Sequence, residues 1–206
     1  MGMEEIIEAI RHVLDEKDSL REEALKLTRE IVRLSGDTVK AIHRNDLNLA
    51  RKRWEETSER VEKLRKMLKD HPDLYHSGYV QTAHQEFVEA SLLLSYVIGK
   101  DYPWPWELGV PEADYTLGVG DFIGELRRYF LHMLLEGDIE TAERVYREME
   151  SVYNALITLE YPKGLVNIRQ KQDQARYILE KTLEDLTRAK LNKSLEEKLE
   201  KVLKDD

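Results

Sequence analysis

The stretch QEFVEASLLLSYVI, residues 85–98, decides how the rest of the chain is read. It carries apolar residues on every face of a helix, the pattern of a helix packed on most sides. Its only charges are Glu86 and Glu89. Three residues apart, they stand side by side on the helix surface, about 5–6 Å between Cβ atoms. Two carboxylates at about 5 Å repel by about 3 kcal/mol at an effective dielectric near 20. A bare pair answers by raising one pKa, whereas a bound cation removes the conflict.

Working outward, ADYTLGVGDFIGELRR at 113–128 repeats the arrangement. Asp121 and Glu125 lie four apart, among Tyr115, Leu117, Val119, Phe122, Ile123 and Leu126. Four carboxylates on two apolar helices make Glu86, Glu89, Asp121 and Glu125 candidate metal ligands. An all-oxygen set suits Mg²⁺, with Mn²⁺ as the alternative. It does not suit tetrahedral zinc, because the chain has no Cys and none of the four is His. Both spacings are also common on solvated or salt-bridged helices, and Arg128, three residues past Glu125, could neutralise that acid without a metal. Spacing alone leaves the two readings open.

The rest of the chain is helical in pattern, with no strand-like alternation and no internal repeat. We expect helices over about 3–16, 18–44, 46–69, 73–99, 112–136, 138–160 and 162–191, with Gly36 as a candidate interruption of the second. Residues 100–111, KDYPWPWELGVP, hold three of the five Pro and two of the three Trp, so no helix is expected there. Trp104 and Trp106 read as rings that finish the core or anchor a subunit contact, in preference to a lid. No linker divides the chain. The expected organisation is one all-α domain over 1–192, followed by a charged tail at 193–206.

Composition narrows the function. The 41 acidic and 32 basic residues give a net charge of −9, which argues against a protein that simply coats nucleic acid. Any basic surface must be local, and residues 40–70 supply one, with ten Lys or Arg against six Asp or Glu. Within it His43, Arg44, Arg51 and Arg53 are candidate phosphate contacts, whose affinity would fall with salt. Trp54 and Tyr75 are candidate stacking partners for bases. Arg127 and Arg128, beside the second acidic motif, are candidates for holding a scissile phosphate, and His132 for polar lining. The plain alternative for 40–70 is a solvated helix with pairs such as Glu59–Lys63 and Glu62–Lys66. The absence of Cys fits a cytoplasmic protein, and no apolar run is long enough to span a membrane.

The segments GYVQTAHQEFVEA and ADYTLGVGDFIGELRR, with EGDIETAERVYREMESVYNAL after them, closely resemble the translin/TRAX family over roughly residues 5–190. The four acids stand where TRAX-like subunits hold theirs, so the chain looks TRAX-like, closest to archaeal-type members. It departs from the nuclear ones in having no basic N-terminal extension. The resemblance implies a translin-like bundle of about seven helices in a closed, octameric homo-oligomeric shell. It also implies a Mg²⁺-dependent endoribonuclease acting on single-stranded or loosely structured RNA, with Glu86, Glu89, Asp121 and Glu125 as metal and catalytic residues. The basic segment would then face RNA inside the shell. The main rival reading is a non-catalytic binder of single-stranded RNA or DNA, of translin type. A purely structural helical assembly protein is the other.

Overall fold

A computed structural model describes residues 2–205. Eight helices account for the regular structure of these residues, joined by short turns: α1 Met3–His43, α2 Leu47–Met67, α3 Pro72–Tyr75, α4 Gly78–Val97, α5 Pro105–Leu108, α6 Glu112–Leu135, α7 Ile139–Leu156 and α8 Ile168–Asp205. The expected all-α class is what is found. Helices α4 and α6 form the centre. Helix α1 packs on α2 and α4, while α7 and α8 pack on α6 and on each other. Phe87 and Leu93 of α4 and Phe122, Ile123, Leu126 and Phe130 of α6 are all but fully buried, joined by Ile31, Ile42, Leu64 and Met149. Within 85–98, Phe87, Val88 and residues 90–94 are buried in the core, while Glu86, Glu89 and 95–98 are half-buried.

Several boundaries depart from expectation, each for a local reason. The two helices expected at 3–16 and 18–44 are one 41-residue rod. Asp18 and Ser19 are good capping residues, but nothing between 15 and 20 breaks a helix. Gly36 stays helical, at a cost of about 1 kcal/mol relative to Ala. The helix expected from 73 is split, because the short α3 ends at His76 and α4 starts afresh after Ser77. Loop 100–111 contains a single helical turn, since Pro105 occupies a first-turn position where no N–H is missed. Gly109, at φ +67°, ends that turn. Gly137 and Asp138 divide α6 from α7 as expected, the Asp138 carboxylate accepting the Thr141 N–H at 2.9 Å.

The last helix starts at 168, later than the expected 162, and continues through the residues read as a separate tail. Residues 3–16 of α1 and the last part of α8 have their apolar residues exposed, among them Ile6, Ile10, Val13, Leu195, Leu199 and Val202. Trp104 and Trp106 do not finish the core, being 60 % and 68 % exposed. Among the described residues no helix is long and apolar enough to cross a membrane.

Candidate metal and nucleic-acid site

Two glycines bring the helices that carry the acids close to their neighbours. A Cβ at Gly118 would lie 2.7 Å from the Val88 Cβ and 2.9 Å from the Gln85 carbonyl oxygen, so only glycine lets α6 approach α4 this closely. Asp121 and Glu125 follow Gly118 at three and seven residues, on the same stripe of α6. Glu86 and Glu89 flank the contact residue Val88 on α4. Gly120 serves the other side of α6, where a Cβ would lie 2.7 Å from the Lys171 Cβ. The start of α8 therefore closes on the same patch, and the Lys171 ammonium binds the Asp121 carboxylate. Lys171 lies 50 residues from Asp121 in sequence.

Glu86 and Glu89 sense the neighbouring acids. Burial, reinforced by the charges of Glu86, Glu125 and Asp121, pushes the Glu89 carboxyl up from 4.5 to about 8, with Lys171 opposing. Burial, with Asp121 and Glu125, also raises Glu86. Among the described residues neither glutamate has a hydrogen bond or ion pair. Glu125 is held differently. Its Oε2 lies 2.6 Å from His43 Nε2, and the His43 side chain, at the end of α1, is only 3 % exposed. Arg128 Nη1 is farther from Glu125, at 3.8 Å. The His43 ring stacks on His132, with centroids 5.4 Å apart, and its Nδ1 is buried without a partner.

In kind, four oxygen donors with two unpaired glutamates suit a hard divalent ion. As the side chains stand, no three His, Asp or Glu among the described residues are grouped closely enough to coordinate one. Asp121 is engaged by Lys171 and Glu125 by His43, so these two acids already have partners.

The basic candidates scatter. His43 belongs to the acidic patch, not to a separate basic face. Arg44, beside it, is exposed and unpaired among the described residues. Arg51 is exposed and lines a groove between α2, α4 and the 100–108 loop. Arg53 pairs with Glu56 at 2.7 Å. Arg127 points away from the acids toward α8, where it binds Asp185 and lies over the Phe130 ring. Arg128 alone of the flanking pair reaches the acids. Of the expected helix pairs, Glu62–Lys66 forms at 3.2 Å, whereas Glu59 pairs with Arg60. Trp54 and Tyr75 are partly buried; the Trp54 indole N–H donates to Ser91 at 2.7 Å, and Tyr75 packs edge-on against His84.

Lys171 was missed in the sequence, where it is one cation in a Lys/Gln-rich run; its only signal is Gly120, whose need for a close neighbour shows once α8 is placed. The buried pair His84–Asp114, 2.7 Å apart and joining α4 to α6, was missed as well. His84 immediately precedes Gln85-Glu86, but the spacing offered no partner for it.

This fold with an acidic patch between its two central helices defines an all-helical class that the comparisons identify. The chain belongs to the Translin family, with residues 19–187 matched. An uncharacterised protein of Methanocaldococcus jannaschii is 37 % identical over 204 residues, covering 98 % of this chain and 90 % of that protein. Among solved structures, AfC3PO in complex with duplex RNA superposes with a TM-score of 0.83 at 34 % identity, covering 90 % of this chain and 97 % of that one. The apo form of NeC3PO gives 0.81 at 26 % identity, covering 89 % and 96 %.

Proposed function

We propose that the protein is an RNA-binding, Mg²⁺-dependent endoribonuclease working within a homo-oligomeric shell. The observation that carries the reading is Glu89, unpaired beside the Gly118 contact, whose carboxyl is pushed up to about 8 by burial and by the charges of Glu86, Glu125 and Asp121. Folding pressed-together carboxylates without need is costly. RNA as the ligand is supported by AfC3PO, described in complex with duplex RNA. The test substrates are accordingly both single-stranded and duplex RNA, with single-stranded DNA as a third arm.

The four acids would hold the ion, which when bound polarises a phosphate and lowers the pKa of a water. The chain's own groups do the rest. Lys171 and Arg128, the cations at the patch, balance the carboxylates and draw a phosphate toward them. His43 holds Glu125 in place from a buried position, fixing which oxygen it turns to the patch. Exposed Arg44 and Arg51 add salt-sensitive phosphate contacts. An octameric shell follows from the family resemblance. The uncovered apolar stripes at the two ends of α1 and α8 support assembly, because a lone copy would leave them in water.

One observation favours a second reading, a binder without cleavage: Lys171 already neutralises Asp121. Labelled RNA incubated with Mg²⁺, Mn²⁺ or EDTA separates the two. Cleavage that needs the metal and is lost in Glu89→Gln supports the nuclease; metal-independent binding with intact RNA leaves the binder. Light scattering should give a mass several times 24.2 kDa. A monomer at micromolar concentration would end the shell.

A further inference from the structure

Away from the acids, the 100–108 loop, α2 and α4 enclose an open groove of about 590 Å³. Ser95, which lines it, lies nine residues past Glu86, about half a turn around α4 at about 100° per residue. The groove therefore opens on the opposite flank from the carboxylates. Trp54 and Trp104 line it, and Trp106 stacks on Trp104 with centroids 4.6 Å apart and planes 15° from parallel. Such a pair, more than half exposed, is unusual where nothing covers it. Trp54 is fixed by its bond to Ser91, so the aromatic wall is preformed.

The groove is also charged. Arg51, Glu55, Lys100 and Asp101 line it, and among the described residues none of the four has an ion-pair partner. Arg51 and Glu55 sit four apart on α2, a spacing at which helix pairs form, and still do not pair. The centres of protein–protein interfaces are poor in charge, so this lining fits a small polar ligand with a flat ring better than a second copy. We propose that the groove binds one unpaired nucleotide of an RNA strand. Its base stacks on the braced Trp104, its phosphate meets Arg51 and Lys100, and Glu55 or Asp101 accepts from a base N–H, such as the exocyclic amino group of adenine. Base-paired residues have no free face to offer, so the site would select single-stranded segments over duplex. The choice of RNA rests on the reading above; the site itself does not depend on cleavage.

All three Trp of the chain, 54, 104 and 106, belong to this groove or its wall, so tryptophan emission reports on it alone. In EDTA, an oligoadenylate of about five nucleotides, within the range one such platform holds, should quench wild-type emission saturably. Anisotropy of the labelled oligonucleotide should show about tenfold weaker binding by the W104A/W106A double variant. W104F/W106F, which keeps the rings, should bind close to wild type. Equal affinity in wild type and W104A/W106A overturns the proposal. So does a fall in assembly mass on removing the Trp pair, which makes the wall a subunit contact. AMP competing as well as the oligonucleotide reassigns the site to free nucleotides and also overturns it. If wild type binds longer RNA with a salt dependence that the Trp variants share, the groove assignment falls alone. If it binds no RNA, both readings fall.

Discussion

Replacing Glu89 by Gln should make the metal-free protein more stable, and only in one range of pH. In the folded chain the Glu89 carboxyl keeps its proton to about 8, against 4.5 ordinarily. Between those values the unfolded chain has released a proton that the folded chain retains, so stability falls as pH rises. The contribution is full below 4.5 and gone above about 8. At about 1.4 kcal/mol for each tenfold difference in proton affinity, the decline amounts to about 3 to 5 kcal/mol. Gln has no proton to lose and nearly the same shape, so the variant lacks this decline. For a chain of this length 1 kcal/mol moves Tm by about 2–4 °C, which puts the difference at about 10 °C near pH 9 and close to zero near pH 4.5. Thermal melts of both proteins in EDTA at fixed concentration across this range measure it. Parallel Tm curves would refute the claim that Glu89 is held protonated. Saturating Mg²⁺ at pH 8 should then raise the wild-type Tm and leave the variant's nearly unchanged, and equal shifts would remove Glu89 from the ion.

Three further outcomes follow from the packing. Gly118→Ala should cost about 1–3 kcal/mol in denaturant melts, since the new methyl meets Val88 and backbone at under 3 Å, whereas Gly124→Ala, with nothing within 4 Å, should be neutral or stabilising. Asp114→Ala strands the fully buried His84 and should cost about 3–5 kcal/mol, measured the same way. Lys171→Met frees the Asp121 carboxylate and should tighten Mg²⁺ binding in calorimetry; weaker binding would mean the lysine helps to hold the site together.

The class of fold was legible because it depends on local pattern. The apolar-rich run at 87–98 and the stripe of α6 read as buried helices, and Gly137-Asp138 as a boundary. Where expectation failed, the deciding contacts were not local. Nothing in Asp18 or Ser19 distinguishes a helix start from a helix interior. Packing on α2 and α4, which begins near Leu20 and Ala24, keeps the rod unbroken. The acids stand out in the sequence, since their contrast with apolar neighbours is visible in one dimension. Their partners were not. His43, read as part of a basic segment, reaches Glu125 across 82 residues, and Arg127 turned out to lie on the wrong side of its helix. A helical wheel would have separated Arg127 from Arg128, but no sequence pattern names the helix that each one meets.

The site and the strain in it share one cause. Gly118 lets α4 and α6 approach so closely that apolar packing is dense on the core side, and the same approach brings the charges of Asp121 and Glu125 to bear on Glu86 and Glu89. Widening the contact would relieve the charges and open the core. The chain keeps the contact, leaves Glu86 and Glu89 without partners, and spends one buried histidine and one lysine on the other two acids. A scaffold that needed only stability would have put apolar residues at 86 and 89, where α4 is otherwise uncharged. The cost persists in the fold, and the divalent ion proposed above would turn it into a gain.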